Sequence, residues 1–169
     1  MCGLACKDAL KSLLNIDIKL KWINDLIYKD KKLGGILVES RIRGDTIELF
    51  IGIGINVNNS LSELSQDVKD IAITLKDDLL QETDIYHLSA LISNKIEEYF
   101  ALYENHDYDK IKALWMKTSH SIGRNISFVV KNEKKHGMTL GIDDFGALIV
   151  QDNHGQEYLL SNNIDVEYK

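Results

Sequence analysis

The sequence has no proline, only two cysteines and no long apolar run. A membrane-spanning helix needs about 18 or more consecutive apolar residues, and nothing here approaches that. The N-terminus lacks the basic-then-apolar layout of a secretory signal, so the expected compartment is the cytoplasm. Cys2 and Cys6 would share one face of a helix. With no second ligand pair at metal spacing, they read as small buried apolar residues before metal or redox groups. Lysine and arginine number 20 against 26 acids, a net charge of −6 with no basic tail. That balance argues against a general nucleic-acid binder, whose phosphate contacts need concentrated cations. The missing proline, beside many Lys, Ile and Asn, reads as compositional drift. There is no internal repeat and no low-complexity tract. His87, His106, His120, His136 and His154 are scattered without partner spacing, and neither a Ser/His/Asp arrangement nor a thiol nucleophile is indicated.

The chain that remains is of ordinary globular composition, long enough for one good core and a small second module. Cys6, Ala9, Leu10, Leu13 and Leu14 give residues 2–14 the spacing of an amphipathic helix. Because Met1 starts almost inside that helix, an upstream portion is expected. Ile18 to Trp22 alternates as a short strand, Tyr28 to Lys32 holds a polar turn, and Leu33 to Glu39 reads as a buried strand opening on Gly34 and Gly35. Arg43-Gly44-Asp45 is a further turn. A short helix is expected around Ile71 to Leu75. Asp84 is a candidate N-cap for a longer helix with Ile85, Leu88, Ile92, Ile96, Tyr99 and Tyr103 on its apolar face, and another helix follows from Tyr108. From Gly123 the period drops to two. About five short strands, at Ile126–Val130, Met138–Ile142, Ala147–Gln151, Gln156–Leu160 and Ile164–Tyr168, suggest a closed or nearly closed β-barrel. The domains expected are 1–120 and 121–169.

The segment from Ile47 to Val57 carries the strongest functional signal. In a strand Gly52, Gly54 and Asn56 share one face while Ile51, Ile53, Ile55 and Val57 share the other. Two mid-strand glycines cost about 1–2 kcal/mol against alanine. Close approach of a ligand to the backbone would offset that loss, as would a crossing backbone. No third glycine follows and no helix starts there, so this is not a dinucleotide fingerprint. Lys21-Trp22-Ile23-Asn24-Asp25 ends one strand and Lys32 precedes another. If these strands are neighbours, two cations, a carboxylate and two amides gather around a slot without side chains. Such a slot suits a flat, extended ligand with an anionic end, with lysines neutralising a carboxylate and a phosphate brought together.

KWIND, KKLGGILVE and GIGINVN, in this order and at these separations, resemble the biotin protein ligases. Each motif alone is weak, but three in register over some forty residues are specific. The resemblance extends to the helices and to GIDDFGALIV, which is similar to that family's small SH3-like C-terminal domain. The fold it implies is α+β: a mixed sheet flanked by helices, the N-terminally truncated core of a class II synthetase-like catalytic domain, then a small SH3-like β-barrel. The activity it implies is ATP-dependent activation of biotin to biotinyl-5′-AMP and transfer to a lysine of a biotin carboxyl carrier domain, as in acetyl-CoA carboxylase. Biotin, ATP and Mg2+ are thereby implied, as is a homodimer through the central sheet.

Residue by residue, Lys32 matches the lysine that contacts the biotin carboxyl and adenylate phosphate. Gly35, Gly52 and Gly54 match pocket glycines, and Asn56 matches the asparagine near the nucleotide phosphates and metal. Lys21, Trp22, Asn24 and Asp25 match the KWPND segment, Asp25 as the group orienting the incoming lysine amine. For Trp22 a place in the core is the competing reading. Ile23 stands where the family has proline. Arg41, Arg43 and Arg124 are the chain's arginines, and SRIRGD is not the family's Gly-Arg-Gly-Arg-x-Gly-Arg loop. By this comparison that loop and the residues gripping biotin's ureido ring lie upstream. A non-catalytic remnant or carrier-docking module, or one half of a split ligase, are therefore readings beside the enzyme.

Overall fold

The computed structural model describes every residue except Leu64, Asn162, Asn163, Asp165 and Lys169. Helix α1 (Cys2–Leu14) buries Leu4, Ala5, Cys6, Ala9 and Leu10. It stops at Asn15, whose left-handed backbone returns its N–H to the Lys11 carbonyl at 3.0 Å, a conformation asparagine tolerates well. Four strands follow, β1 (Lys19–Lys21), β2 (Asp25–Tyr28), β3 (Lys31–Arg43) and β4 (Thr46–Ile55), in one sheet of order β1-β2-β3-β4. All three ladders are antiparallel; the parallel pairings among the described residues are isolated bridges, Leu20 with Ser119 and Lys32 with Ala72.

The expected buried strand at Leu33–Glu39 is longer than its pattern suggests and buried only at its start. Leu33 and Gly34 are inside, whereas Leu37 and Val38 are exposed. The hairpin β3–β4 outruns the helices beneath it. Ile36, Ile53 and Ile55 pack on the core, while Ile42, Ile47, Leu49 and Ile51 stay in solvent.

Two short helices, α2 (Gln66–Ile71) and α3 (Leu75–Leu79), flank the place where one helix over 71–75 is expected. The stretch between them is extended because Lys32 claims its backbone, its carbonyl accepting from Ile73 N–H at 3.0 Å. Helix α4 (Ile85–Glu104) is capped by Asp84, whose carboxylate accepts from the N–H groups of Tyr86 and His87. It lies along α1 through Leu88, Ile92 and Tyr99, and Tyr99 donates its hydroxyl proton to Asp8 at 2.7 Å. Helix α5 (Tyr108–Thr118) leans Ile111, Leu114 and Trp115 on the same core.

A second antiparallel sheet follows: β5 (Asn125–Val130), β6 (Glu133–Ile142), β7 (Leu148–Asp152), β8 (Glu157–Leu160) and β9 (Val166–Tyr168), in the order β8-β7-β6-β5-β9. The turn expected over Asn132–Lys135 is only Lys131-Asn132, both with positive φ, the primed two-residue turn whose twist suits a hairpin. Among the described residues no pairing joins β8 to β9. Of the last expected strand, Asp165 lies outside the described residues. The second core holds Ile126, Phe128, Leu148, Val150 and Leu160, together with Trp22 from the other end of the chain.

Candidate functional site

The turn between β1 and β2 is built from Trp22, Ile23 and Asn24. Asn24 ties it to the next strand but one: its side-chain amide donates to the Ile36 carbonyl at 2.6 Å, and its own carbonyl accepts from Ile36 N–H at 3.0 Å. That fixes Asp25 as the first residue of β2, opposite Gly35 in β3.

The β2–β3 connection decides where Lys32 points. Lys29 and Asp30 both have positive φ, so the polar turn shrinks to a primed pair and Tyr28 faces Lys31. Strict alternation from there would put Lys32 and Gly35, three residues apart, on opposite faces. The register slips between Leu26 and Ile27, pairing Leu26 with Gly34 and Ile27 with Lys32, so that Leu33 is an extra residue in β3. This bulge turns Leu33 into the core and returns Lys32 to the face of Asp25 and Gly35. There the Lys32 ammonium meets Asp25 Oδ1 at 2.6 Å.

The glycines divide into two kinds. A Cβ on Gly34 would collide with the carbonyl oxygen of Gly54, so close packing of the strands requires that glycine. A Cβ on Gly54 would find its nearest neighbour 3.9 Å away, on Gly52 4.0 Å, and on Gly35 3.6 Å. Nothing among the described residues demands glycine at these three positions. Gly35 pairs with Gly54 and Leu37 with Gly52, so the three glycines share one face of the sheet and leave it without side chains beside the Lys32–Asp25 pair, with Leu37 standing next to Gly52 on the same face.

A pocket of about 390 Å³ lies on that face, lined by Asn24, Asp25, Lys32, Gly35, Gly52 and Gly54 with Ile36, Leu37 and Ile53. A second, of about 410 Å³, adjoins it and shares Lys32, Gly35 and Gly54. Its far wall is Asn56 with Val68, Ile71 and Ala72 around the end of α2. Asn56 lies just past β4, its backbone N–H bonded to the Leu33 carbonyl and its side-chain amide donating to the Ile73 carbonyl at 3.2 Å. The second chamber was not legible from the motifs: α2 reaches the sheet through the pairing of Ala72 with Lys32, for which the sequence carries no signal. Among the described residues no group of three His, Cys, Asp or Glu could hold a metal ion, and no helix is long and apolar enough to cross a membrane.

Two of the expected site residues lie elsewhere. Lys21 lines neither pocket; it starts on the same sheet face, opposite Asp25, but its ammonium sits over the Tyr168 ring, 4.6 Å from the centroid. Trp22 is a core residue: it is buried in the second core, and its indole N–H donates to the Gly146 carbonyl at 3.0 Å. Of the two readings of Trp22, the core place is the one it takes, because the turn sends its side chain toward the C-terminal sheet.

Comparison with known proteins gives matches at both ends of the chain. The family model described as "Biotin/lipoate A/B protein ligase family" matches residues 2–56, and "Biotin protein ligase C terminal domain" matches residues 121–166. The bifunctional ligase/repressor BirA of Bacillus subtilis is 30% identical over 167 residues, covering 98% of this chain and 51% of the relative. Its counterpart from Escherichia coli is 28% identical, covering 88% and 46%. The chain spans about half the length of the curated relatives it matches. Among solved structures, the biotin protein ligase of Aquifex aeolicus in complex with biotin and ATP superposes with a TM-score of 0.83 at 25% identity, over 99% of this chain and 69% of that one. Matches to separate family models at the two ends, and a common fold running between them, lead to one assignment: the chain belongs to the biotin protein ligase family.

Proposed function

We propose that this chain carries the floor of a biotin and adenylate site and serves ATP-dependent biotinylation of a carrier domain. The observation behind this reading is the bare glycine face, which no neighbour in the chain requires, bordered by Lys32 and running across two adjoining chambers. A ligand with an apolar ring system at one end and a nucleotide at the other suits that shape. The similar ligase of Aquifex aeolicus is described in complex with biotin and ATP.

In the reaction, a biotin carboxylate oxygen attacks the α-phosphorus of ATP, pyrophosphate leaves, and an acyl adenylate forms. A neutral lysine amine of the carrier then attacks the acyl carbon, AMP departs and the amine loses a proton. Two anions must meet in the first step, and Lys32 is the cation placed to offset their repulsion. Lys32 is paired with Asp25 in the free chain, so ligand entry trades that partner for the carboxyl and phosphate. Asp25 is then released toward the incoming amine, which it orients. Asn24 holds the turn; Gly35, Gly52 and Gly54 form the floor; Asn56 faces the nucleotide. Magnesium would arrive with the nucleotide's phosphates, as it does where a protein supplies one or two ligands, and Asn56 Oδ1 is the atom here to meet it.

On this reading residues 1–120 are part of a biotin/ATP-binding domain and 121–169 an SH3-like C-terminal domain. The partner is a biotin carboxyl carrier domain, the setting is the cytoplasm, and the exposed apolar half of the β3–β4 hairpin, with β4 at the sheet edge, supports pairing of two copies. A second reading, a carrier-docking module or one half of a split ligase, is favoured by the lack of an arginine lining either pocket. Incubation with biotin, ATP and Mg2+, following pyrophosphate release and biotin transfer to a carrier domain, separates the two. Little or no turnover is expected from these residues alone, with activity restored by a polypeptide bearing the arginine loop. Binding of neither biotin nor a biotinyl adenylate analogue would sink the site reading itself.

A further inference from the structure

The backbone of Trp22 is held on both sides of its Cα by the C-terminal part of the chain. Its N–H donates to Ser121 Oγ at 2.7 Å, and the Tyr168 hydroxyl, 2.9 Å from Ser121 Oγ, reaches the Trp22 carbonyl oxygen at 3.4 Å. Ser121 is buried and is itself fixed by Thr139, whose hydroxyl donates to the Ser121 carbonyl. One residue earlier, His120 N–H donates to the Leu20 carbonyl at 2.7 Å. Burial raises the pKa of the Tyr168 hydroxyl, the Ser121 bond lowers it and the charge of Asp25 raises it, so the group stays protonated and lies within the field of the pocket's carboxylate.

Packing of the indole ring alone would anchor Trp22 loosely, since apolar contacts are non-directional. Hydrogen bonds to its N–H and carbonyl orient the two peptide planes that flank its Cα. The chain then runs without a break through Ile23 to Asn24, which grips Ile36, and to Asp25, which meets Lys32. We propose that Ser121 and Tyr168 are positioning residues for the pocket: by holding the backbone of Trp22 on both sides of its Cα they set where Asn24 and Asp25 stand relative to Lys32. The C-terminal sheet thereby shapes a site it does not line. Its bearing on ligand affinity rests on the biotin-adenylate reading above, while the positioning itself does not.

The test uses the full chain with Ser121→Ala and Tyr168→Phe, the second removing one oxygen and keeping the ring under Lys21. Amide hydrogen exchange is followed by NMR at Trp22 and at Ile36, whose N–H donates to the Asn24 carbonyl. Loss of one buried hydrogen bond predicts exchange at Trp22 about tenfold faster in Ser121→Ala. The proposal requires Ile36 to accelerate with it while β5 to β8 keep their protection. Faster exchange at Trp22 with Ile36 unchanged would reduce Ser121 to a local structural role and overturn the proposal, as would no change at either. Should Ser121→Ala fail to fold, Tyr168→Phe, which removes the contact to the Trp22 carbonyl, is read at Ile36, where faster exchange is required and unchanged exchange overturns the proposal. Affinity for a non-hydrolysable biotinyl adenylate analogue, measured by calorimetry, is expected to fall severalfold in both variants. Absence of binding by the unsubstituted chain would count against the ligase reading and leave the exchange result to decide the positioning.

Discussion

Gly34 and Gly35 are neighbours in sequence and opposites in use: one is required by the strand packed beside it, the other by nothing among the described residues. A methyl at Gly34 would enter the carbonyl oxygen of Gly54, whereas at Gly35, as at Gly54, it would meet only ordinary contacts. Gly34→Ala should therefore destabilise the fold by roughly 1–3 kcal/mol or more, the usual cost of overpacking. Gly54→Val should leave stability within about 1 kcal/mol, since β-branched residues suit strands, yet abolish binding of a biotinyl adenylate analogue. Urea titration and calorimetry on the two variants give both halves of the comparison. Retained binding in a folded Gly54→Val would mean that the bare face is not the floor.

Lys32 offers a second check. Charged hydrogen bonds contribute about 1.5–3 kcal/mol, so Lys32→Ala should weaken the analogue by about 10- to 100-fold with little effect on folding, its ammonium being half exposed. In a polypeptide that includes the arginine loop, the same substitution should slow pyrophosphate release. Normal affinity and normal release together would remove Lys32 from the site.

The two thiols should differ in reactivity. Cys6 is buried, and burial, aided by the neighbouring Cys2, pushes its thiol up to about 12. The thiolate is the nucleophile, so a disulfide reagent at pH 8 should modify Cys2 alone in the folded chain and both after denaturation. Mass spectrometry of the labelled peptides reads the result, and equal labelling of the folded chain would contradict the placement of α1.

Tyr99 links α4 to α1 through Asp8, and burial first, then that hydrogen bond, raises its pKa. A raised folded value means that its contribution is complete below the unfolded value of about 10 and is lost as pH rises past it. Tyr99→Phe should cost about 1 kcal/mol at pH 7, visible as a lower Tm, and the gap from the unsubstituted chain should narrow at pH 11. A gap that widens there would mean that Tyr99 is already ionised in the fold.

Much of this arrangement is legible in the sequence because it is local. The glycines at every second position of β4, the amide and carboxylate of KWIND and the lysine before a glycine-opened strand all sit within forty residues, and antiparallel hairpins bring such residues together by register alone. What the pattern hides is set by distance or by one-residue irregularities. Lys32 reaches the bare face only through the bulge at Leu33, which no alternation rule foresees. Lys21 and Trp22 are drawn away by Tyr168 and Gly146, more than a hundred residues along the chain. Leu37 and Val38 look like core residues in sequence, but burial depends on what covers a strand, and the helices end short of them.

The lodging of Trp22 in the second core limits what could replace the C-terminal sheet. A different small β-module of equal size and stability would not serve unless it brought a socket of indole dimensions and a carbonyl oxygen where that of Gly146 stands. The two parts are therefore exchangeable only as a matched pair, and a hybrid assembled from mismatched relatives would keep its glycine floor while losing the anchor of the turn beside it.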